Sequence, residues 1–291
     1  MKKALRYLGI GFISLIVLLL LALIVLMVRG SAVISEAPPV THSAPSTAQD
    51  SILVARGQTL VRSISGCQRC HGQDLAGQQM GEADAFGLFV ASNLTAGSGG
   101  VGSTLDDTGW EKAIRHGIGA DGRVLVGMPS ENFNAYSDED LAALIAYLKQ
   151  LPPVDNELPT TQPGWLAKVF LGTGLYTPPA VALDPEAPHA ATAPSPGTLD
   201  YGQYLVHLGA CSECHGARLK GPEFEGPPPG PDLTRTGNLG AWEESDFIHT
   251  IRTGSTPDER ILDPNMMPWP YFSQMTDAQL SDIWSYLSSL E

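Results

Sequence analysis

Two short motifs constrain this chain more than any other feature of its sequence. They are Cys67-Gln68-Arg69-Cys70-His71 and Cys211-Ser212-Glu213-Cys214-His215. In each motif two cysteines bracket two residues and a histidine follows at once, which is the spacing of covalent haem attachment. Each thiol can add across one vinyl group of the porphyrin, and the histidine can bind the iron.

Because the motifs use all four cysteines of the chain, they predict two covalently bound haem c groups. The predicted attachment residues are Cys67, Cys70, Cys211 and Cys214, and the predicted axial histidines are His71 and His215.

Zinc and a redox-active dithiol are the competing interpretations of these cysteines. Paired Cys-x-x-Cys elements can build a tetrahedral zinc site, but such a site needs no histidine directly after the second cysteine in both copies. A thioredoxin-like dithiol belongs to a strand and helix context that is missing from this sequence. With every thiol bound to haem, no cysteine remains for a disulfide bond.

An apolar run near the amino terminus extends from Tyr7 to Val28 and contains no charged residue. As a helix it is long enough to cross about 30 Å of hydrocarbon. Three basic residues precede it and should stay in the cytoplasm. We therefore predict that residues 1–30 form a single-pass anchor in the cytoplasmic membrane, with the rest of the chain in the periplasm. The alternative is a cleaved signal peptide with Gly30-Ser31-Ala32 as the cleavage region, although the run is longer than the usual ~7–15 apolar residues of a signal.

Composition divides the rest of the chain into segments. Residues 31–49 are rich in Ser, Ala, Pro and Thr and are predicted to be a flexible tether. Frequent prolines predict an extended linker over residues 156–197. The haem motifs then fall in two domains, residues 50–155 and 198–291. Inside the linker, Trp165 to Leu171 predicts a short apolar helix. We favour a strap over the seam between the domains, and a contact with membrane or a partner is the alternative.

The chain is acidic, with a formal net charge of -14. This charge argues against nucleic acid or an anionic membrane surface as a partner. A partner that is steered electrostatically should present a basic face.

The two halves of the chain repeat each other around the motifs. Gly57-Gln58-Thr59-Leu60-Val61 leads to the first motif, and Gly202-Gln203-Tyr204-Leu205-Val206 leads to the second. Further matched segments are Asn93-Leu94-Thr95 with Asp232-Leu233-Thr234, Ile114-Arg115-His116-Gly117 with Ile251-Arg252-Thr253-Gly254, and Ser137-Asp138-Glu139-Asp140 with Thr276-Asp277-Ala278-Gln279. The last pair predicts a capped start for a closing helix in each half. Apolar residues then recur at helical spacing: Leu141, Leu144, Ile145 and Leu148 in the first half, and Leu280, Ile283, Trp284 and Leu287 in the second.

The same repeat predicts methionine as the sixth ligand of each iron. Met128-Pro129 lies thirteen residues before Leu141, and Met267-Pro268 lies thirteen residues before Leu280. A thioether ligand raises the reduction potential of haem iron. Met266 is a rival to Met267, but its counterpart in the first half is a glycine. The other histidines show no repeated ligand spacing and are not predicted to bind iron: His42, His116, His189, His207 and His249.

At these residues the chain resembles the class I cytochrome c family, and its tandem arrangement is similar to membrane-anchored dihaem cytochromes of bacterial respiratory chains. The resemblance covers residues 57–151 and 202–290. It implies an all-α fold with two tandem class I cytochrome c domains after an N-terminal transmembrane helix, each wrapping a haem with His and Met ligands. It also implies that the regions of Arg115 and Arg252 lie near haem propionates. Two inserts, Gly97 to Gly102 and Gly226 to Pro231, depart from the simplest family pattern, so the resemblance does not predict the shape of the haem pocket at its edge.

The predicted function is electron transfer on the outer face of the cytoplasmic membrane within a bacterial respiratory chain, with no catalytic residue and no substrate bond made or broken. The chain could act alone or serve a dehydrogenase, a quinol-oxidising complex or a terminal oxidase as the cytochrome subunit. The main alternative is a dihaem peroxidase with one accessible iron. A Met-Pro at the matching distance in each half favours the electron carrier. A haem sensor or a structural subunit is a third possibility.

Overall fold

The computed structural model describes residues 2–41, 44–45, 47, 50–221 and 230–291. Predictions that concern residues 42, 43, 46, 48 and 49 of the expected tether, which include His42, lie outside the described residues. The same holds for residues 226–229 of the proline-rich insert.

The first element is a helix, α1, that runs from Lys2 to Ser35. Within the part of the chain that the structure describes, it is the one helix long and apolar enough to cross a membrane, with a mean hydropathy of 3.2 over its best window. Nothing in that window is buried inside the protein. The helix continues five residues past the predicted end of the anchor at residue 30.

The first domain is built from five helices and a small sheet. The helices are α2 (Ser51–Thr59), α3 (Gln68–His71), α4 (Asp107–His116), α5 (Ser130–Phe133) and α6 (Asp138–Leu148), with a π-helical turn at Leu60–Ile64. Strands β1 (Gln78–Met80) and β2 (Gly87–Ala91) are antiparallel, with Gln79 opposite Val90. A short strand β3 (Gln162–Pro163) pairs with β2 and is also antiparallel to it.

The second domain repeats the order of helices of the first. It follows two linker helices, α7 (Trp165–Thr173) and α8 (Pro179–Ala182). Its helices are α9 (Leu199–Leu208), α10 (Ser212–His215), α11 (Glu244–Thr253), α12 (Trp269–Phe272) and α13 (Asp277–Ser289), with a 3₁₀ turn at Asn238–Ala241. The predicted all-α fold with two similar halves is confirmed.

In each domain the helix before the motif crosses the closing helix at a glycine. A Cβ on Gly57 of α2 would collide with the carbonyl oxygen of Ala143 in α6, and a Cβ on Gly202 of α9 would collide with that of Asp282 in α13. Only glycine permits backbones to approach this closely. The Gly-Gln repeat in the sequence therefore marks a helix crossing that both domains share.

The closing helices bury the predicted apolar faces, but their starts differ. At α13 the prediction of a capping box is confirmed: the Gln279 amide donates to Thr276 Oγ1 at 3.2 Å, and the Thr276 amide donates to Gln279 Oε1 at 2.9 Å. At α6 the Asp140 amide donates to Ser137 Oγ at 3.1 Å. The Asp140 carboxylate does not complete the box, because it pairs with Arg56 and accepts a hydrogen bond from the second domain.

One hydrophobic core runs through both domains. Its buried residues include Leu60 and Leu144 of the first domain and Leu205 and Leu280 of the second. The seam between the domains is therefore packed in the same way as their interiors.

The described part of the expected tether packs on the first domain. Its apolar side chains meet a small buried cluster: Ile34, Ala37 and Val40 lie against Ile118, Val124 and Ala180. The Ala37 amide donates to the Gly122 carbonyl at 3.0 Å, and the Val124 amide donates to the Ile34 carbonyl at 3.3 Å. These contacts hold the end of α1 against the first domain, where the composition had predicted a free tether.

The short apolar helix predicted in the linker is present as α7, but its position differs from the one we favoured. It packs against α1 and not over the seam between the domains. The reason is a pair of glycines. A Cβ on Gly30 of α1 would collide with the Lys168 carbonyl, and a Cβ on Gly172 of α7 would collide with the Leu26 carbonyl. Without these side chains the two helices can lie backbone against backbone.

Candidate haem sites

A single helical turn presents each haem motif. In the first domain the His71 amide donates to the Cys67 carbonyl at 2.9 Å. In the second the His215 amide donates to the Cys211 carbonyl at 3.0 Å. Each turn thus brings the first cysteine and the histidine together, as attachment of one porphyrin through two thioethers and one imidazole requires.

Each motif histidine makes the same hydrogen bond through Nδ1. The Nδ1 atom of His71 lies 2.8 Å from the carbonyl oxygen of Ser92, and that of His215 lies 2.8 Å from the carbonyl oxygen of Pro231. A carbonyl can only accept, so the proton is on Nδ1 and the lone pair of Nε2 is free to bind a metal. Burial lowers the pKa of both histidines, which keeps the imidazoles neutral.

The loops that follow the histidines adopt matched and unusual backbone conformations. Leu75 and Leu219 have φ angles of 61° and 58°, in the left-handed region that a leucine rarely adopts. The carbonyl of Leu75 accepts from the Leu94 amide at 2.8 Å, and the carbonyl of Leu219 accepts from the Leu233 amide at 2.7 Å. These bonds bring Ser92 and Pro231 next to the histidines.

Three of the four thiols, those of Cys67, Cys70 and Cys211, lie in an environment that favours the protonated form. Burial raises the pKa of Cys67 and of Cys211 to about 12, and it also raises that of Cys70. A redox-active dithiol needs a lowered thiol pKa, so this environment does not favour the dithiol interpretation. Across the described ranges, no group of three or more His, Cys, Asp or Glu side chains could hold a metal ion.

Both predicted methionines face the same space as the motifs. A cavity of about 1720 Å³ extends through both domains. The predicted ligand and attachment residues all line it: Cys67, Cys70, His71, Met128, Cys211, Cys214, His215 and Met267. Met266 also lines the cavity, but its side chain is 46% exposed, whereas Met267 is partly buried and packs against the core. The contrast favours Met267 as the ligand.

The lining of the cavity fits a large apolar group that carries acceptors. Aromatic and aliphatic side chains form much of the lining, including Leu94, Phe133, Leu233 and Phe272. Two buried donors on the cavity wall, Trp110 Nε1 on α4 and Thr250 Oγ1 on α11, have no hydrogen-bond partner among the described residues. A buried polar group without a partner is costly, and a haem carboxylate could satisfy each of them.

Arg115 and Arg252 do not line the cavity, although the resemblance had placed their regions near the propionates. Arg115 is buried and donates to the carbonyl of Tyr136 at 2.6 Å and to Asp138 at 2.8 Å. Arg252 likewise donates to the carbonyl of Ser273 and to Asp277. The repeated arginines therefore tie α4 to the start of α6 and α11 to the start of α13.

Three other arginines line the cavity, Arg69, Arg123 and Arg260, and the last two form a repeated pair. Arg123 and Arg260 both belong to the cavity wall. Each follows an aspartate by two residues, in Asp121-Gly122-Arg123 and Asp258-Glu259-Arg260. Their carbonyls accept matched hydrogen bonds from the amides of Gly119 at 2.8 Å and Thr256 at 3.0 Å. The sequence repeat does not reveal this pair, because the second half has two extra residues between the arginine and the methionine.

The two sites contact each other reciprocally. Gln73, two residues after His71, donates to the hydroxyl of Tyr271, four residues after Met267, at 3.5 Å. Asn132, four residues after Met128, donates to Glu213 inside the second motif at 3.3 Å. In both directions the motif region of one domain touches the methionine loop of the other.

Fold and sites together define a c-type cytochrome, and the family models agree. The model "Cytochrome c" matches residues 199–291, and the model "Cytochrome C oxidase, cbb3-type, subunit III" matches residues 53–148. The chain belongs to the cytochrome c family and carries two of its domains in tandem.

Several relatives are cytochrome subunits of dehydrogenases. The chain is 30% identical to the fructose dehydrogenase cytochrome subunit of Gluconobacter japonicus, over 91% of this chain and 57% of that protein. It is 33% identical to the gluconate 2-dehydrogenase cytochrome c subunit of Pantoea cypripedii, over 57% of this chain and 38% of the relative. It is 30% identical to the alcohol dehydrogenase (quinone) cytochrome c subunit of Gluconacetobacter polyoxogenes, over 83% of this chain and 56% of that protein. The chain thus spans about half or less of the length of these relatives.

Proposed function

We propose that the chain is an electron carrier with two covalently attached haem c groups, one in residues 50–155 and one in residues 198–291. The observation that carries this proposal is the matched Nδ1 hydrogen bond of His71 and His215, because it leaves Nε2 of each imidazole free on the cavity side of a Cys-x-x-Cys-His turn. Met128 and Met267, which line the same cavity, would each supply a second protein ligand to the iron.

Bound haem supplies a one-electron couple between ferrous and ferric iron. The protein's own residues hold and orient the group and keep water from it. Cys67, Cys70, Cys211 and Cys214 would form the thioethers. Trp110 and Thr250 would donate to the carboxylates, and Arg123 and Arg260 would offset their charge. No residue of the chain would need to make or break a substrate bond.

The reciprocal contacts between the two sites support a relay inside the chain. Each motif region touches the methionine loop of the other domain, and one cavity connects the two sites. These residues would hold the two groups in one cavity, which supports electron exchange within the chain.

We place this relay on the outer face of the bacterial cytoplasmic membrane, with α1 as the anchor. The packing of Gly30 against Lys168 and of Leu26 against Gly172 supports a retained helix, because cleavage in the Gly30-Ser31-Ala32 region would remove the α1 side of these contacts. The names of the relatives suggest that the partner is a dehydrogenase that delivers electrons to the chain. A quinol-oxidising complex or a terminal oxidase would be the next partner in the respiratory chain.

Purification from membranes tests this function. The full-length protein should copurify in detergent with a dehydrogenase, and both haems should become reduced when the substrate of that enzyme is added. If the haems stay oxidised under these conditions but the protein consumes hydrogen peroxide, the peroxidase interpretation replaces this one.

A further inference from the structure

The exposed face of α7 is largely apolar, with Thr173 at its end as the one exposed polar residue. In Trp165–Thr173 the single charged residue is Lys168. Ala167 and Leu171 are buried on the inner side, whereas Trp165 is 50% and Phe170 is 40% exposed on the outer side. A short helix on a water-exposed surface would carry polar residues on that side.

Two neighbouring residues extend this surface. Phe86, which precedes β2, is 44% exposed and packs on Phe170 with ring centroids 5.7 Å apart. Leu175, which follows α7, is 76% exposed. We call Phe86, Trp165, Phe170 and Leu175 the α7 patch. Contiguous apolar patches of this kind mark surfaces that contact another protein or a membrane.

The position of α7 indicates whether the patch contacts a membrane or another protein. The helix lies directly against α1 at Leu26 and Gly30, through the two glycine contacts. Leu26 and Gly30 are at the outer end of the apolar run, where a spanning helix leaves the hydrocarbon. The α7 helix therefore lies beside exposed apolar residues of α1, such as Val25 and Val28.

We propose that the α7 patch lies in the interfacial region of the outer leaflet and forms a second membrane contact beside α1. This inference rests on the proposed placement of α1 in the membrane. Trp and other aromatic residues favour this depth, and Lys168 and Arg29, at the same level, can reach lipid phosphates. Two contacts instead of one would fix the first domain relative to the membrane. The cavity of that domain reaches Ser31 and Ile34 of α1, so it would be held beside the membrane surface.

Spin labelling of the full-length holoprotein in lipid nanodiscs tests this proposal. With the four native cysteines bound to haem, Leu175→Cys provides a single free thiol in the patch, and Phe170→Cys is a second variant. Val17→Cys in the middle of α1 is the control for the bilayer, and Leu199→Cys, exposed at the start of α9, is the control for water. Power saturation compares the access of oxygen, which partitions into lipid, with that of a water-soluble nickel complex.

We expect the oxygen-to-nickel ratio at residues 170 and 175 to be several-fold higher than at residue 199 and lower than at residue 17. If the oxygen-to-nickel ratio at residues 170 and 175 equals that at residue 199, while the ratio at residue 17 is that of lipid, the α7 proposal is wrong and the proposed anchor remains. If residue 17 also reports water, the membrane placement of α1 fails as well. Labels at residues 170 and 175 that neither reagent reaches would indicate a protein partner or a second copy on the patch, which also overturns the proposal.

Discussion

The hydroxyl of Tyr204 in the second domain donates a 2.8 Å hydrogen bond to Oδ2 of Asp140 in the first. The Asp140 side chain is 1% exposed, and its other oxygen pairs with Arg56. The Tyr204 hydroxyl also accepts from the Ser137 amide at 3.2 Å. A buried polar contact therefore links the first helix of one domain to the start of the closing helix of the other. This contact helps to fix the two haem sites relative to each other.

Replacement of Tyr204 by phenylalanine should destabilise the joined domains. The change leaves the Asp140 carboxylate and the Ser137 amide buried without the hydroxyl, which costs about 1–3 kcal/mol. Denaturant unfolding followed through haem absorbance measures the loss. Tyr286→Phe, which removes a hydroxyl within the second domain, is the control. Equal stability of the two variants would show that the contact does not matter.

The same tyrosine should give the stability a dependence on alkaline pH. Burial and then the negative charge of Asp140 raise the pKa of Tyr204 well above its usual value. Because the folded pKa exceeds the unfolded value of about 10, the contribution of the neutral hydroxyl is complete below that pH and is lost as pH rises towards the folded pKa. Above about pH 10 the wild type should therefore lose more free energy of unfolding than Tyr204→Phe does. Parallel pH curves for the two proteins would contradict this explanation.

The sequence predicted the parts of the molecule that local pattern determines. The motifs, the capping box at Thr276 and the apolar faces of α6 and α13 depend on residues close together in the chain, and spacing alone reveals them. The partner of α7 was not predictable, because it depends on glycines more than 100 residues apart in the chain, Gly30 and Gly172. The capping box at Asp140 is incomplete for a similar reason, because Tyr204 of the other domain binds the Asp140 carboxylate.

The arginines also show what a sequence repeat can and cannot predict. Repetition marked Arg115 and Arg252 as important, but the pattern could not tell a side chain that faces the cavity from one that braces two helices. The match between Arg123 and Arg260 appears only when the halves are aligned with a two-residue insertion. An alignment on the methionines contains no such insertion and therefore hides the match.

Substitution of the methionines should separate the two haems spectroscopically. Met128→Ala and Met267→Ala should each remove the long-wavelength sulfur-to-iron band of one haem and lower the potential of that haem, because the soft thioether favours ferrous iron. Met266→Ala should leave both bands intact. A band lost in Met266→Ala and retained in Met267→Ala would exchange the roles of these two residues.

The cavity arginines should tune the potentials. Arg123→Gln and Arg260→Gln each remove a positive charge beside one site, which favours the ferric form, and the effect of Arg123→Gln should be the smaller because Asp121 already pairs with Arg123. An exposed charge interaction of about 0.2–1 kcal/mol corresponds to a potential lower by about 10–40 mV in a redox titration. Arg235→Gln, outside the cavity lining, is the control. An unchanged potential in Arg123→Gln and Arg260→Gln would place both guanidinium groups away from the haems.

The helix crossings should tolerate no side chain. Gly57→Ala and Gly202→Ala should each destabilise their own domain by about 1–3 kcal/mol, because the new methyl group meets a backbone carbonyl. Gly11→Ala in α1, where a Cβ has nothing within 4 Å, is the control. Unfolding transitions equal to wild type in Gly57→Ala or Gly202→Ala would mean that the crossing can widen at little cost.

The most direct test of the central claim is the number of haem groups bonded to the purified full-length chain. Extraction with acid acetone followed by intact mass spectrometry should leave two haem additions on the wild type and one on the double variant Cys67→Ala/Cys70→Ala. Colour that the solvent removes, or a wild-type mass equal to that of the bare polypeptide, would contradict the assignment of both sites.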